Sequence, residues 1–102
     1  MTTTGTALDT GALRVLADPL RARIVQLLAT EQLCTCHLVE ETGASQSGVS
    51  NHLRVLREAG LVTAEPCGRF TYYALVPARL SALGEGLAAL ASAADGARRR
   101  PC

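Results

Sequence analysis

Residues 33–62 constrain the fold more than any other stretch, because they combine two short helical patterns with a tight turn between them. Thr35 is suited to cap the first helix, which we expect to run to Glu41 or Thr42, and Gly43 is suited to end it in the left-handed conformation. Ser45 is suited to cap the second helix, predicted over residues 46–59. This arrangement indicates a helix-turn-helix, although other tight corners between helices share the pattern.

The second of these helices has two chemically different faces. Val49, Leu53 and Leu56 lie on one face, whereas the opposite face carries short polar side chains near its start and arginines further on. A helix that reads the DNA major groove needs short N-terminal side chains near the base edges and cations near the phosphates. Most surface helices also have a polar face, so the pattern favours DNA binding without establishing it. The candidate DNA-binding residues on this helix and its cap are Ser45, Gln46, Ser47, Ser50, Asn51, His52, Arg54 and Arg57.

A β-hairpin is predicted directly after this helix. Gly60 ends the helix, residues 61–65 form a strand, residues 66–69 a turn and residues 70–76 the return strand. The hairpin holds the single Phe and both Tyr residues of the chain. A hairpin in this position is typical of a wing, and Arg69 at its tip is a candidate phosphate contact. The alternative for Arg69 is an exposed cation in a turn.

Three further helices are predicted around the helix-turn-helix. The first is capped by Asp9 or Thr10, and the second starts with Asp18 as N-cap and Pro19 at its first position. The last follows Pro77 and runs to about residue 94, with leucines spaced 3-4-3 along one seam. Because the rest of the domain is small, we expect these leucines to form a dimer interface. The candidate interface residues are Leu13, Leu16, Leu80, Leu83, Leu87 and Leu90.

The 102 residues are enough for one small domain, predicted over 1–102 with flexible tails at 1–7 and 95–102. Apolar residues make up 48% of the chain and aromatic residues only 3%, so the core must consist of Leu, Val and Ala, which favours helices. The predicted fold class is mainly α with a β-hairpin wing, a homodimeric winged helix-turn-helix. Neither a membrane span nor a signal peptide is evident, and we expect a cytoplasmic protein without membrane contact.

The net charge of +1 and the pI of about 7.7 do not indicate a strongly basic domain. DNA contact must therefore come from a local cluster of arginines, and a protein-interaction module without DNA affinity stays an alternative. An enzyme that uses its cysteines is a further class. The sequence shows neither a phosphate-cradling loop nor an evident pair of nucleophile and base, so we predict that the chain is not an enzyme.

The motifs of the chain resemble those of the ArsR/SmtB family of bacterial winged-helix metal sensors. The resemblance extends over roughly residues 13–76 and rests on LADPLRARIVQLL, LCTCHLV, SQSGVSNHLRVLREAGLV and GRFTYYAL, in this order. It implies a homodimer built from the first and last helices, with the helix of residues 46–59 in the major groove of an imperfect inverted-repeat operator. It also implies repression of a resistance operon, relieved by metal. His52 lies at the border of the core face, where we favour a structural hydrogen bond over base contact.

The positions of the cysteines and histidines distinguish among the effector sites of this family. Four cysteines in a chain expected in the cytosol favour thiols over disulfides. The zinc-type site uses His and carboxylates on the last helix, whereas His37 and His52 lie elsewhere, and the cadmium-type site needs cysteines before Cys34 or in the recognition helix, where none occurs. Cys34 and Cys36 correspond to the Cys-Val-Cys of arsenic sensors. The resemblance therefore implies As(III) or Sb(III) as effector, with no catalytic cofactor.

The third ligand of such a site is open. Arsenic sensors often carry another cysteine three residues after the pair, where this chain has Val39. Cys102 on the tail ranks above Cys67 in the predicted wing turn, and a small thiol or water is equally compatible. Residues i and i+2 of a regular helix point about 200° apart, so the backbone at Cys34 and Cys36 must be irregular or must distort on binding. A thiol redox or persulfide sensor of the same fold, pairing Cys36 with Cys102, is the alternative function.

Overall fold

The computed structural model describes residues 8–102, and the tail predicted at residues 1–7 lies outside this range. Within this range the chain forms five helices and a three-stranded antiparallel sheet with strand order β1-β3-β2. This architecture confirms the predicted winged helix-turn-helix. In chain order the elements are α1 (Thr10–Leu16), α2 (Pro19–Leu28), β1 (Leu33–Cys34), α3 (Thr35–Thr42), α4 (Gln46–Glu58), β2 (Val62–Cys67), β3 (Phe70–Leu75) and α5 (Pro77–Asp95).

The capping residues predicted for α1, α2 and α4 all make the expected contacts. Asp9 accepts a hydrogen bond from the Ala12 N–H, and Asp18 accepts from the N–H groups of Leu20 and Arg21. Ser45 accepts from the Gly48 N–H at 3.1 Å and starts α4. These bonds satisfy N–H groups that the first turn of a helix leaves free. The local sequence therefore sets where these three helices begin.

The turn between α3 and α4 follows the predicted design, with one correction at the start of α3. Gly43 adopts the left-handed conformation with φ of 74° and ends α3. The Thr42 hydroxyl accepts from the Ala44 N–H at 3.2 Å, which helps to fix the turn. Thr35, however, is the first residue of α3, and Cys34 is its N-cap. The prediction of Thr35 as cap was wrong because Cys34 is held in extended backbone by the sheet.

The wing has a shorter turn than predicted. β2 continues through Pro66 and Cys67, and only Gly68 and Arg69 connect it to β3. The prediction of a turn over residues 66–69 failed because β2 is an edge strand, where a proline lacking its N–H is tolerated. Gly68 has φ of 62°, as two-residue hairpin turns require. The return strand ends at Leu75, one residue before the predicted end.

The strand β1 was not predicted, since two residues are too short to show a pattern. Leu33 pairs with Tyr73 and Cys34 pairs with Tyr72, both antiparallel. This pairing joins the start of α3 to the middle strand of the wing sheet. The position of Cys34 is therefore fixed by a contact distant in sequence.

The buried core lies between α2, α3, α4 and the sheet. The three apolar residues predicted on the inner face of α4 are at most 1% exposed. By their spacing, Leu20, Ile24, Leu27 and Leu28 fall on one apolar stripe of α2, and of these four Ile24 and Leu28 are buried. The core cluster consists of Ile24, Leu28, Leu33, Leu38, Val49, Leu53, Leu56, Leu61 and Val62.

The last helix is attached to this core by its first turn. Arg79 donates to Asp9 Oδ2 and to the Ala59 carbonyl oxygen, both at 2.9 Å, and Leu80 packs against the core. Further along α5, Leu87 and Leu90 are 45% and 48% exposed. In the range 8–102, none of the helices has the length and apolar character needed to cross a membrane.

Candidate functional site

The two cysteine thiols lie in contact at the beginning of α3. Cys34 is the N-cap with φ of −90° and ψ of 170°, and Cys36 is the second residue of the helix. Their Sγ atoms are 3.2 Å apart. Because Cys34 has extended rather than helical backbone, the two side chains converge on one side. The predicted irregularity at this helix start is confirmed, and no distortion is needed to bring the sulfurs together.

The pKa values of the two thiols are shifted in opposite directions. Burial raises the pKa of the Cys34 thiol, but hydrogen bonds from the backbone N–H of His37 and from the Cys36 thiol favour the thiolate, and the net pKa is lowered. The pKa of Cys36 is raised, first because its thiol donates to Cys34 and then by desolvation. The first proton to leave the pair is therefore that of Cys34, which is 3% exposed, whereas Cys36 is open to solvent.

His37 holds Cys34 in place, a role that the sequence pattern did not indicate. The backbone N–H of Cys34 donates to His37 Nδ1 at 3.2 Å, and the same nitrogen lies 3.3 Å from Cys34 Sγ. The His37 ring also packs against Tyr72 at a centroid distance of 6.0 Å. His37 occupies the third helical position, where the reciprocal partner of a capping box lies. The three-residue spacing between Cys34 and His37 was the sequence signal that could have indicated this contact.

The other two cysteines are placed away from the pair. Cys67 ends β2, and β3 separates this strand from β1, so about 10 Å of sheet lies between Cys67 and Cys34. Cys102 lies beyond the end of α5 and is exposed. Across residues 8–102, no cluster of three or more His, Cys, Asp or Glu side chains is positioned to hold a metal ion.

The geometry of the pair fits a soft ion bound by two sulfurs. Two bonds of about 2.3 Å, the usual metal–thiolate length for zinc, would meet at roughly 90° across a sulfur separation of 3.2 Å. Thiolates are soft donors and select soft, thiophilic ions. The donor type and the spacing of Cys34 and Cys36 thus suit a soft ion.

An open cleft borders the thiol pair and reaches two elements of the candidate DNA surface. The cleft has a volume of ≈ 400 Å³. The start of α4 and the tip of the wing form its other walls. Its lining residues are Cys34, Thr35, Cys36, Gln46, Arg69, Phe70, Thr71 and Tyr73. The thiols and the candidate DNA contacts Gln46 and Arg69 therefore share one cleft.

The polar face of α4 is exposed along its length. Among the candidate DNA contacts, the Ser45 hydroxyl is already used as the helix cap. Arg54 donates to Asn51 Oδ1 at 2.6 Å and forms an ion pair with Glu58 at 3.2 Å. A phosphate contact by Arg54 therefore requires it to exchange partners. The exposed candidates are Ser45, Gln46, Ser47, Ser50, Asn51, Arg54, Arg57 and Arg69.

His52 differs from these residues, since it is half-buried and faces the protein. Arg21 Nη1 lies 3.1 Å from His52 Nδ1, and Arg21 Nε donates to the Val15 carbonyl oxygen at 2.7 Å. Donation to Nδ1 requires neutral His52 with its proton on Nε2. This contact supports the structural role favoured for His52. Arg21 thereby links the end of α1 to α4.

Comparisons with known proteins agree with this geometry. The profile of the family described as "Bacterial regulatory protein, arsR family" matches residues 18–64. A crystal structure of a possible transcriptional regulator for arsenical resistance superposes with a TM-score of 0.70 at 40% identity, covering 84% of this chain and 96% of that one. The chain belongs to the arsR family. The predicted resemblance is confirmed.

Curated relatives of this ArsR-family chain are transcriptional regulators by name. It is 43% identical over 65 residues to the arsenic resistance transcriptional regulator ArsR1 of Pseudomonas putida, covering 63% of this chain and 51% of that protein. It is 45% identical over 60 residues to the transcriptional repressor SmtB homolog of Synechocystis sp., covering 59% and 46%. The match thus spans about half the length of these relatives. By their names these relatives are regulators and not enzymes, in agreement with the predicted class.

Proposed function

We propose that this chain is a cytoplasmic repressor of a metalloid-resistance operon that leaves its operator when As(III) or Sb(III) binds Cys34 and Cys36. The observation that carries this proposal is the 3.2 Å contact between the two sulfurs at the start of α3. The family membership supports a transcriptional regulator, and the donor set supports a soft effector.

The residues around the pair prepare it for a soft ion. Cys34 is already biased toward the thiolate, which is the form that binds metals. The Cys36 proton must leave on binding, and the hydrogen bond from Cys36 to Cys34 is lost with it. His37 meanwhile keeps the Cys34 backbone in its extended conformation through its Nδ1. The site is therefore preorganised at the Cys34 sulfur and must rearrange at the Cys36 sulfur.

This rearrangement is coupled to the DNA-reading helix through short paths. α3 is buried at Leu38 in the same core cluster as Val49, Leu53 and Leu56 of α4. A change at Cys36, in the first turn of α3, therefore acts on the helix that packs against α4. If the bound form of α3 fits the DNA-competent arrangement less well, effector and operator bind with negative coupling.

The proposed DNA complex needs two copies of the chain. α4 enters the major groove with Gln46, Ser47 and Ser50 toward the bases, and Arg57 and Arg69 contact phosphates. A second copy covers the exposed Leu87 and Leu90 of α5. A two-fold dimer requires an operator with inverted half-sites, and we expect an imperfect inverted repeat.

Release of DNA upstream of the chain's own gene, followed by fluorescence anisotropy, tests this proposal. We expect As(III) to release the parent under reducing conditions, whereas Cys34→Ser and Cys36→Ser stay bound. Cys67→Ser should respond as the parent does, and the response of Cys102→Ser decides whether the tail supplies a third ligand. Normal As(III) responses of both Cys34→Ser and Cys36→Ser would reject the site.

Two further arms separate the alternatives. Release by peroxide or polysulfide but not by As(III) would establish the thiol redox or persulfide sensor instead. Changing Arg54 and Arg57 to Ala should abolish operator binding, while Arg23→Ala, an exposed arginine on α2, is the matched control. Retained binding by the double variant would remove α4 from the DNA interface.

A further inference from the structure

The cleft beside the thiol pair contains groups that the effector ion alone does not use. Cys34 and Cys36 lie on one side, and Arg69, Phe70 and Tyr73 of the wing lie on another. Arg69 is exposed and Phe70 is 51% exposed, although Phe is an apolar side chain. At ≈ 400 Å³ the cleft has room for a small organic molecule. A cation, two aromatic rings and a thiol pair define the chemistry of its occupant.

We propose that this cleft binds a low-molecular-weight thiol that carries a carboxylate, and that this thiol completes the coordination of As(III) at the pair. The inference rests on the proposed function. Trivalent arsenic forms three bonds, and the pair supplies two sulfurs. The thiol sulfur takes the third position, and its carboxylate contacts the Arg69 guanidinium, which suits carboxylates.

The step is a substitution without redox change. Arsenous acid, As(OH)₃, exchanges its three hydroxyl groups for the sulfurs of Cys34, Cys36 and the small thiol. Three As–O bonds break and three As–S bonds form. Each thiol proton leaves with one hydroxyl group, so three water molecules are released, and arsenic stays trivalent throughout.

Because of the position of the cleft, a molecule bound there affects DNA binding. Gln46 at the start of α4 and Arg69 at the wing tip both line the cleft. A carboxylate paired with Arg69 competes with a DNA phosphate for the same cation. The small thiol is thus a second component of the inducing signal, and it acts on the wing while the ion acts on α3.

X-ray absorption at the arsenic edge tests the third bond, using the full chain freed of reductant and loaded with one equivalent of As(III). We expect two sulfurs and one oxygen around arsenic without a small thiol, and three sulfurs after mercaptosuccinate is added. Three sulfurs before any addition would overturn the inference, because another cysteine of the protein then completes the site. Arsenic without protein sulfur would instead overturn the proposed function.

The carboxylate contact has its own test. In Arg69→Gln, the mercaptosuccinate concentration for half-conversion to three sulfurs should rise about two- to fivefold, the range of an exposed ion pair. The requirement for 2-mercaptoethanol, which lacks a carboxylate, should not change. Arg23→Gln, which removes an exposed cation of α2 outside the cleft, is the matched control. Equal requirements for mercaptosuccinate in Arg69→Gln and the parent would remove Arg69 from the site.

Discussion

Helices α4 and α5 both carry an apolar stripe, but the stripes have different surroundings. The inner face of α4 is covered by its own chain, with Leu56 completely buried and Ser45 capping the helix. α5 is held by Arg79 and Leu80 near its start, and its later leucines remain about half exposed. The periodic spacing of apolar residues thus identifies an apolar face, but it does not show what packs against that face. The apolar face of α4 is fully covered within one chain, whereas the apolar face of α5 is suited to be covered by a second copy.

The largest effect should come from emptying the core under α4. Leu56→Ala removes a fully buried side chain, and such changes cost about 2–5 kcal/mol of unfolding free energy, a large share of the total for a small domain. Urea denaturation followed by circular dichroism measures this loss. We expect it at every protein concentration. The loss for Leu90→Ala should instead depend on concentration, as dimer-linked stability does. The same concentration dependence for both variants would remove the distinction between the helices.

The second effect should appear in assembly while the fold is kept. Changing Leu87 and Leu90 together to Glu places charges on the exposed seam of α5. Sedimentation velocity should then show a monomer, and circular dichroism should show unchanged helix content. Operator affinity should fall about 100-fold or more, since the two DNA-reading helices are no longer linked in one dimer. Ser81→Glu with Ser92→Glu adds the same charge to the other face of α5 as a control. A dimer that survives in the leucine variant would show that this seam is not the interface.

The smallest effect concerns helix starts. α2 begins with a carboxylate cap, whereas Val76 at the start of α5 makes no side-chain cap hydrogen bond in the described chain. Hydrogen bonding from the Arg21 N–H lowers the pKa of Asp18. A lowered folded pKa contributes stability above the unfolded value of about 3.9, and this stability is lost as the pH falls through the folded pKa.

Asp18→Ala should therefore lower the Tm at pH 7, and the difference from the parent should shrink as the pH falls below about 4. Thermal unfolding between pH 7 and pH 3 measures it, with Glu85→Ala on α5 as the control for loss of an exposed charge. A Tm difference that stays constant over this range would mean that the cap acts only as a neutral hydrogen-bond acceptor.

Local rules were sufficient for much of this fold. The buried face of α4 follows from the spacing of Val49, Leu53 and Leu56, and the caps Asp9 and Ser45 follow from residue type and position. The cysteine pair was also predicted as a site, because its spacing matched a known family, and the structure brings the two sulfurs into contact. These features depend on residues within a few positions of one another.

Contacts between distant residues could not be predicted in the same way. Arg21 meets His52 across 31 positions, and Arg79 meets Asp9 across 70 positions. The extended backbone of Cys34 depends on Tyr72, its partner in the neighbouring strand. Helical periodicity alone placed the two sulfurs on different sides of α3. The strand pairing that puts Cys34 before the helix explains why they lie together.

Of the four cysteines, we propose that Cys34 and Cys36 alone couple the effector to DNA. The most direct measurement titrates As(III), in the presence of a small carboxylated thiol, into operator complexes of two complementary double variants. Cys67→Ser with Cys102→Ser should release the DNA as the parent does. Cys34→Ser with Cys36→Ser should remain bound at concentrations that release the first variant completely. Release from the second variant, with the first still bound, would contradict the account.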